Sequence, residues 1–221
     1  MDSRMYETLN AIPLFQGMNG IELNQILDTC PLRIECLEKG DTLVRQGELA
    51  RNLTVLLSGR LRASVSWGDD CLVVTEEVPC PSLIECDVLY GIQREWGATY
   101  TATGDCTLLL IPKEDVNRMM GTMEVFRLNY LNTVCALSQK RRQRAWTEPA
   151  PRLRERIALF VKARTLGQTG PVEVRIRMRD LGMHLGATRS LISQVLHTMQ
   201  DDGVLTAARG RIMIPELKEL R

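Results

Sequence analysis

The chain has 221 residues, of which 44% are hydrophobic and 25% are charged, and its formal net charge at pH 7 is +1. This length is sufficient for two domains that each bury a core of their own. No stretch approaches the roughly 20 apolar residues that span a bilayer, and no signal-peptide-like run opens the sequence, so we expect a cytoplasmic protein without a membrane partner.

The charges are unevenly distributed along the chain. Residues 145–221 contain 13 Lys and Arg against 8 Asp and Glu, whereas residues 1–144 contain 15 against 19. A basic carboxy-terminal module on a mildly acidic body is the arrangement that binding of a phosphate backbone by one module requires.

The amino-terminal part consists of short apolar runs separated by glycine-containing turns. Two helical segments, Met5–Leu14 and Gly20–Leu27, precede these runs. The runs have the length and regular spacing of strands in an antiparallel barrel or jelly roll. They comprise residues 42–44, 53–57, 61–65, 72–74, 100–103 and 107–111.

Cysteine and histidine are not placed for metal chemistry. The seven cysteines lie between Cys30 and Cys135, form no CxxC pair and match no zinc or iron-sulfur spacing, so we expect them to be reduced and mostly buried. Barrels of this type also occur in metal-dependent enzymes, whose sites need two or three histidines with a carboxylate. The two histidines, His184 and His197, both lie beyond the barrel. We therefore expect no metal, no cofactor and no enzymatic activity.

A different periodicity begins at Lys113. Apolar residues recur at intervals of three and four up to Arg142, which predicts one long helix. Its apolar surface is wider than one barrel face requires, so we expect it to pair with a second copy of the chain; the alternative is that the stripe packs only against its own barrel. Trp146 and two prolines place a hinge near residues 144–152. The expected heptad-like seam consists of Met123, Phe126, Tyr130, Thr133 and Leu137.

Residues 178–197 have the pattern of a helix-turn-helix. On the first helix, Gly182 is small where the two helices would cross, and Gly186 permits a tight turn. Thr188 can then cap the second helix. That helix carries an apolar face of Leu191, Ile192, Val195, Leu196 and Met199, opposite a polar face of Arg189, Ser190, Ser193, Gln194 and His197.

The segment that follows predicts a wing. An apolar strand begins at Val204, and a basic turn at residues 207–211 precedes the apolar residues 212–214. Upstream, residues 172–177 alternate between apolar and charged side chains, as in a strand that joins the wing in a small sheet. Together these features favour a winged helix-turn-helix that binds double-stranded DNA. The alternative is an ordinary two-helix hairpin with a solvated polar face.

The order of these parts resembles the Crp/Fnr transcription regulators. The resemblance is carried by the barrel turns GDTLVRQGE (Gly40–Glu48) and LTVLLSGRLR (Leu53–Arg62) and by the helix-turn-helix. It implies an α+β fold with an amino-terminal antiparallel barrel of the cyclic-nucleotide-binding type, a long dimerisation helix and a carboxy-terminal winged helix-turn-helix. The implied boundaries are residues 1–118, 119–145 and 146–221, in a bacterial homodimer that reads a palindromic operator and contacts RNA polymerase.

The resemblance also assigns contacts with DNA. The position of Arg189 matches one from which family members contact bases, and its planar fork suits a bidentate contact with guanine. Ser190, Ser193 and Gln194 match further base-contacting positions. The expected phosphate contacts, which position the protein without specifying sequence, come from Thr188 and from Arg209 and Arg211 in the wing.

In the barrel, the resemblance to cyclic-nucleotide-binding members is incomplete. Those members carry a Gly-Glu pair and, further on, an Arg that holds the cyclic phosphate, followed by a small hydroxylated residue and Ala. Here Ile84 replaces the glycine, and residues 96–98, Trp-Gly-Ala, replace the Arg motif. A buried phosphate without a counter-charge is strongly disfavoured, so we expect a different effector, such as an apolar or aromatic molecule, or none. The expected pocket residues are Glu85, Tyr90, Arg94, Trp96 and Ala98.

Two further functions remain as alternatives. One is a small-molecule-binding regulatory module whose DNA role is lost, which the DNA-binding tail disfavours. The other is a barrel enzyme, which the absence of histidine from residues 1–144 disfavours.

Overall fold

A computed structural model describes residues 3–29, 33–68, 71–145, 152–167 and 169–220. They form two compact units: one extends to Leu61 and resumes at Val78–Arg141, and the other contains Arg62–Glu77 and the residues from Arg142 onward. The predicted hinge residues Trp146, Pro149 and Pro151 lie outside the described residues. Within those ranges no helix has the length and apolar character needed to cross a membrane.

Eleven strands and seven α-helices are found in the described residues, together with 3-10 turns at Pro13–Phe15, Cys86–Leu89 and Leu217–Glu219. The strands are β1 (Arg33–Leu37), β2 (Thr42–Val44), β3 (Asn52–Ser58), β4 (Leu61–Trp67), β5 (Leu72–Val78), β6 (Ser82–Ile84), β7 (Thr99–Ala102), β8 (Cys106–Pro112), β9 (Val172–Ile176), β10 (Thr206–Ala208) and β11 (Arg211–Ile214). The helices are α1 (Ser3–Asn10), α2 (Gly20–Thr29), α3 (Lys113–Thr122), α4 (Glu124–Ala145), α5 (Leu153–Lys162), α6 (Met178–Leu185) and α7 (Arg189–Asp201). The predicted α+β class is confirmed.

The amino-terminal unit is built on antiparallel strand pairs. Four strands pair in the order β1-β8-β3-β6, and β2 pairs with β7. Strands β3 and β8 read as continuous apolar runs because nearly all of their side chains are buried. At the turn after β3, Gly59 has φ +99°, and a Cβ there would lie 2.1 Å from the Asp105 carbonyl oxygen, so only glycine fits.

The segment after Lys113 is not the single helix that its periodicity predicts. It is divided into α3 and α4 at Met123, which has an extended backbone (φ −117°, ψ 104°) and donates its N–H to the Met119 carbonyl. After this break, one apolar side of α4 packs in the core of the amino-terminal unit, where the rings of Phe126 and Phe15 lie 6.0 Å apart.

The structure places most of the predicted seam of α4 against the core of its own unit. Phe126 and Tyr130 are buried in the core of their own unit, and Met123 and Leu137 pack against the same core. The large apolar side chains that α4 exposes are instead Leu128 and Leu131, at 50% and 52% of their accessible surface. The helix is apolar on two sides. The side that packs in the core carries the aromatic residues, which bury the most surface.

The carboxy-terminal unit is a helical layer on antiparallel strands. Strands β10, β11, β9, β5 and β4 are neighbours in that order, so β9 is paired on both edges. Helices α6 and α7 and the strands β9 to β11 confirm the predicted winged helix-turn-helix, whereas α5 was not predicted. The core contains Ile157, Val174, Ile192, Leu196, Met199, Leu205 and Ile212.

Candidate nucleic-acid interface and effector site

The amino-terminal half of α7 presents a polar surface. The predicted base-contacting side chains Arg189, Ser190, Ser193 and Gln194 are all exposed on its first two turns. They share one side of the helix because their spacing follows the helical period, while Ile192, Leu196 and Met199 on the opposite side are buried. The structure therefore brings the four side chains together on one accessible face.

The start of α7 is fixed by its cap. The Thr188 hydroxyl accepts the N–H of Leu191 at 3.3 Å, which confirms its role as the capping residue. Thr188 is exposed, and the first N–H groups of the helix point toward the same end as its hydroxyl. This end of α7 can therefore receive a phosphate oxygen.

The crossing of α6 and α7 depends on two glycines. Gly186 has φ +56° and ψ 42°, the left-handed conformation that ends α6 and reverses the chain. A Cβ on Gly182 would lie 2.7 Å from the Ala187 carbonyl oxygen, so a larger residue would push the turn away from α6. The sequence identified both positions correctly. An ion pair between Arg154 on α5 and Asp202 supports the far end of α7.

The two wing arginines occupy different environments. Arg209 is exposed in the turn between β10 and β11. Arg211, by contrast, donates to the Glu173 carboxylate at 2.8 Å, and Arg175 lies 4.0 Å from the same carboxylate. A phosphate that binds Arg211 must compete with Glu173, so Arg209 is the better placed of the two for a backbone contact.

One exposed residue of α7 was misplaced by the sequence analysis. Leu191 was expected in the core, but 47% of its accessible surface is exposed, beside Ser190 on the first turn. Its position between the two faces of the helix explains the error, because periodicity alone does not decide which way a boundary residue turns. An exposed leucine at this position adds an apolar group to an otherwise polar surface.

In the amino-terminal unit, the Glu85 carboxylate is hydrogen-bonded within the chain. One carboxylate oxygen accepts the Gly97 N–H at 2.7 Å, and the other accepts the Tyr100 hydroxyl at 2.7 Å. Glu85 has φ +35°, the left-handed conformation that non-glycine residues seldom adopt. Burial raises the pKa of Glu85 above its ordinary value, although both hydrogen bonds act to lower it.

The other predicted pocket residues separate into two groups. Trp96 and Ala98 are buried, Glu85 is half-buried, and the Trp96 ring packs edge-on against Tyr100 at 5.7 Å. Tyr90 belongs to a different cluster: its hydroxyl donates to Asn117 of α3, and its ring meets Tyr130 of α4 at 5.8 Å. The structure therefore does not gather the five predicted residues around one cavity.

Among the described residues, Arg141 of α4 is a basic side chain that interacts electrostatically with Glu85, and it already pairs with Asp87. Arg94, one of the predicted pocket residues, is exposed. Among the described contacts of Glu85 the donors are a backbone N–H and a phenol, and Trp96 fills the adjoining volume. No group of metal-ligating side chains is found within the described ranges.

The contact between the Glu85 segment and α4 was missed entirely by the sequence analysis. The Tyr130 hydroxyl donates to the Cys86 carbonyl at 2.7 Å, and Arg141 pairs with Asp87 at 2.5 Å. Burial raises the pKa of the Cys86 thiol to about 12, so this cysteine stays protonated and unreactive. These bonds connect residues 86 and 87 to the buried side of α4 at Tyr130 and to its carboxy-terminal part at Arg141.

Replacing Glu85 with glutamine tests the protonation of this site. Because the folded state holds the Glu85 proton more tightly than the unfolded chain, the contribution of Glu85 to stability falls as pH rises from its ordinary pKa through the raised one. Glu85→Gln lacks this dependence. In urea unfolding from pH 4 to pH 8, we expect the variant to gain stability relative to the natural protein as pH rises. A difference that stays constant with pH would contradict the assignment.

Two protein families match separate parts of the chain. Residues 34–123 match the family described as cyclic nucleotide-binding domain, and residues 152–221 match the Crp-like helix-turn-helix domain. The two domains occur in the order that the sequence predicts and together span most of the chain. The chain belongs to the Crp/Fnr family. Members of this family are transcription regulators and not enzymes, in agreement with the prediction.

Solved structures share the fold of this Crp/Fnr protein. The Thermus thermophilus catabolite activator protein is 22% identical, with a TM-score of 0.55, and the match covers 91% of this chain and 93% of that chain. A transcriptional regulator from Thermotoga maritima is 16% identical, with a TM-score of 0.51, over 56% of this chain and 95% of that chain. No curated protein sequence matches this chain at a significant level.

Proposed function

We propose that this Crp/Fnr protein is a dimeric regulator that reads two half-sites of an operator with the α7 helices of its two subunits. The observation that carries the proposal is the exposed cluster of Arg189, Ser190, Ser193 and Gln194 at the capped start of α7. Arginine, serine and glutamine all form hydrogen bonds with base edges in the major groove. Because DNA is the proposed ligand, we place the protein in the cytoplasm of a bacterial cell.

The roles within α7 follow from chemistry. Arg189 offers a bidentate contact to guanine, and Gln194 can pair with adenine in the same manner. The exposed methyl groups of Leu191 suit the methyl group of thymine, which is read by apolar contact. Thr188 and Arg209 would bind phosphates on either side and fix the register of α7 on the duplex.

Selection of DNA from a random library tests this proposal. We expect the full-length protein to enrich a palindrome whose half-sites lie about 10 base pairs, or 34 Å, apart on one face of the duplex. Footprinting should then protect both half-sites. Binding without any enriched sequence, or enrichment of a single half-site, would contradict a dimer that reads two grooves.

Arg209→Ala is expected to weaken binding to all DNA sequences alike. A phosphate contact carries no sequence information, so operator and random DNA should lose the same factor in affinity. The slope of log K against log salt should decrease by about 0.9 for each phosphate that is no longer neutralised, or about 1.8 in a dimer. Arg211→Ala is the matched control and should change the slope less, because Glu173 already neutralises that arginine. A loss confined to the operator would assign Arg209 to base readout.

We propose that the subunits pair through the exposed stripe on α4. Leu128, Leu131 and Cys135 follow one another at intervals of three and four residues, which is the spacing of the a and d positions of a coiled coil. Two such stripes would cover each other's leucines along the symmetry axis of a dimer. The larger apolar residues on the other side of α4 already pack against the core of their own unit: Val125, Phe126, Tyr130, Val134 and Leu137.

Cross-linking through Cys135 tests this pairing. In a parallel, symmetric pair the two Cys135 side chains face each other, within the range of a disulfide. Mild oxidation with diamide should give a covalent dimer on a non-reducing gel. Cys135→Ser should abolish this band, whereas serine at the exposed residues Cys36 or Cys71 should leave it unchanged. The opposite pattern would place the interface elsewhere.

The effector is proposed to be a molecule other than a cyclic nucleotide. Both carboxylate oxygens of Glu85 accept hydrogen bonds from the chain itself, and no described basic group contacts it through a hydrogen bond or ion pair. Isothermal titration with cyclic AMP and cyclic GMP should therefore give no tight binding, and tight binding would contradict the proposal. The dimer is also proposed to contact RNA polymerase, as expected of a regulator bound at a promoter.

A further inference from the structure

One residue on the polar face of α7 has no role in the proposed readout of DNA. His197 is exposed, as are the four side chains at the start of the helix that are proposed to contact bases. At about 100° per residue, His197 lies between the directions of Ser190 and Ser193 around the helix. It therefore occupies the middle of the face that is proposed to enter the major groove, one turn beyond Ser193.

The His197 imidazole is free within the part of the chain that the structure describes. No hydrogen bond, ion pair or ring contact of this side chain is found there. The other histidine of the chain, His184 on α6, differs in this respect, because its ring packs against Phe160 of α5 at a centroid distance of 5.3 Å. His197 is thus the histidine that can bind an external group without first losing an internal contact.

The elements that pack against α7 are α5, α6 and β10. Helix α5 contributes Arg154, which pairs with Asp202 at the carboxy-terminal end of α7. Strand β10 has no ionisable side chain, and those of α6 form no ion pair among the described residues. On α7 itself, Asp201 is exposed one turn beyond His197. Asp201 is therefore the acidic group whose effect a test of His197 has to separate.

The position of His197 along α7 favours contact with a phosphate over contact with a base. His197 lies eight residues beyond Arg189, which corresponds to about 12 Å of helix at about 1.5 Å per residue. Recognition helices contact bases with their amino-terminal residues, and the major groove is about 12 Å wide. A side chain that far beyond the first base contact reaches the sugar-phosphate strand that borders the groove.

We propose that His197 contacts a DNA phosphate in its charged form, so that the protein takes up protons when it binds DNA. Histidine is the side chain that gains a positive charge between about pH 8 and pH 5, and hydrogen bonds from a charged donor to a phosphate are the stronger ones. Each subunit takes up to one proton from water onto the unprotonated ring nitrogen of His197. Affinity for DNA therefore falls as pH rises through this range. The inference rests on the proposed DNA-binding function.

The pH dependence of DNA binding tests this inference in the full-length protein. Fluorescence anisotropy at one salt concentration compares pH 6 with pH 8, with the enriched palindrome and with a random duplex of the same length. We expect the natural protein to bind both duplexes about tenfold more tightly at pH 6, because two subunits each gain a phosphate contact. His197→Gln should reduce this ratio to less than about twofold, whereas His184→Gln should retain it.

The salt dependence separates a phosphate contact from a structural role of the residue. For the natural dimer, the slope of log K against log salt should be steeper at pH 6 than at pH 8 by up to about 1.8, and His197→Gln should remove this difference. His197→Lys should bind at pH 8 about as tightly as the natural protein binds at pH 6, because lysine is charged at both pH values. Asp201→Asn removes a negative charge near the phosphates, so it should raise affinity at both pH values and leave their ratio unchanged.

The possible outcomes distinguish this inference from the proposed function. A pH ratio that persists in His197→Gln would overturn the inference, and so would a loss of affinity confined to the palindrome, which would make His197 a base-reading residue. A natural protein that selects a palindrome but binds it equally at both pH values would overturn the inference and leave the proposed function intact. Failure of the natural protein to enrich any DNA would instead contradict the proposed function.

Discussion

Arg189→Ala is expected to remove most of the sequence preference of this protein. A bidentate contact between arginine and guanine contributes about 1–3 kcal/mol of discrimination, and a dimer makes the contact twice. The loss of about 2–6 kcal/mol corresponds to a decrease of roughly 30-fold to 10⁴-fold in operator affinity. Electrophoretic mobility shifts with operator and random DNA, at one fixed salt concentration, measure this preference directly.

Arg189→Lys is the matched variant for this experiment. Lysine keeps the positive charge but lacks the planar fork, so non-specific affinity should be retained while discrimination at the contacted base pair is lost. Because Arg189 is exposed, neither variant should change the thermal stability. Full sequence preference in Arg189→Ala would move base readout to another element and contradict the role assigned to α7.

The winged domain could be predicted from the sequence because its determinants are local. Gly186 and Thr188 set a turn and a cap through their own backbone and hydroxyl, and the buried face of α7 follows a period that a short window contains. Leu191 is the exception, since its exposure depends on the neighbouring elements and not on its position in the helix.

The assignment of faces on α4 could not be made in this way. Two sides of the helix are apolar, and either satisfies the spacing of a seam. The break at Met123, which separates α4 from α3, is also a backbone change that periodicity does not reveal. The pairing of β5 with β9 is likewise a contact between segments about 100 residues apart, and local patterns carry no information about it.

The surroundings of Glu85 could be predicted from the sequence only in part. The departure of residues 84–98 from the cyclic-nucleotide pattern was visible in the sequence, because the missing arginine is a change of residue type. The hydrogen bonds that Glu85 and Tyr90 form within the chain could not be predicted from the sequence. The Tyr100 hydroxyl and the Gly97 N–H donate to Glu85, and the Tyr90 side chain contacts Asn117 of α3 and Tyr130 of α4. These contacts come from four separate elements.

Two substitutions distinguish the buried face of α4 from its exposed face, because one should affect stability and the other dimerisation. Phe126→Ala removes a ring that is fully buried against Phe15, so we expect the amino-terminal unit to lose about 3–5 kcal/mol of stability in urea unfolding. Leu131→Ala removes an exposed side chain and should leave the unfolding of the monomer nearly unchanged. Its effect should appear in sedimentation, because two leucines per dimer lose about 1.5–3 kcal/mol of burial each, which raises the dissociation constant at least about 100-fold.

The concentration dependence of thermal unfolding connects these two results. If Leu131 lies in the subunit interface, the Tm of the natural protein should rise with protein concentration, and that dependence should weaken in Leu131→Ala. Phe126→Ala should lower Tm at every concentration because it destabilises each subunit before the subunits associate. A Leu131→Ala protein that remains dimeric, together with a Phe126→Ala protein that dissociates without losing stability, would return the interface to the aromatic face that the sequence predicted. The outcome also bears on DNA binding, since only a paired α4 can present two copies of α7 to one operator.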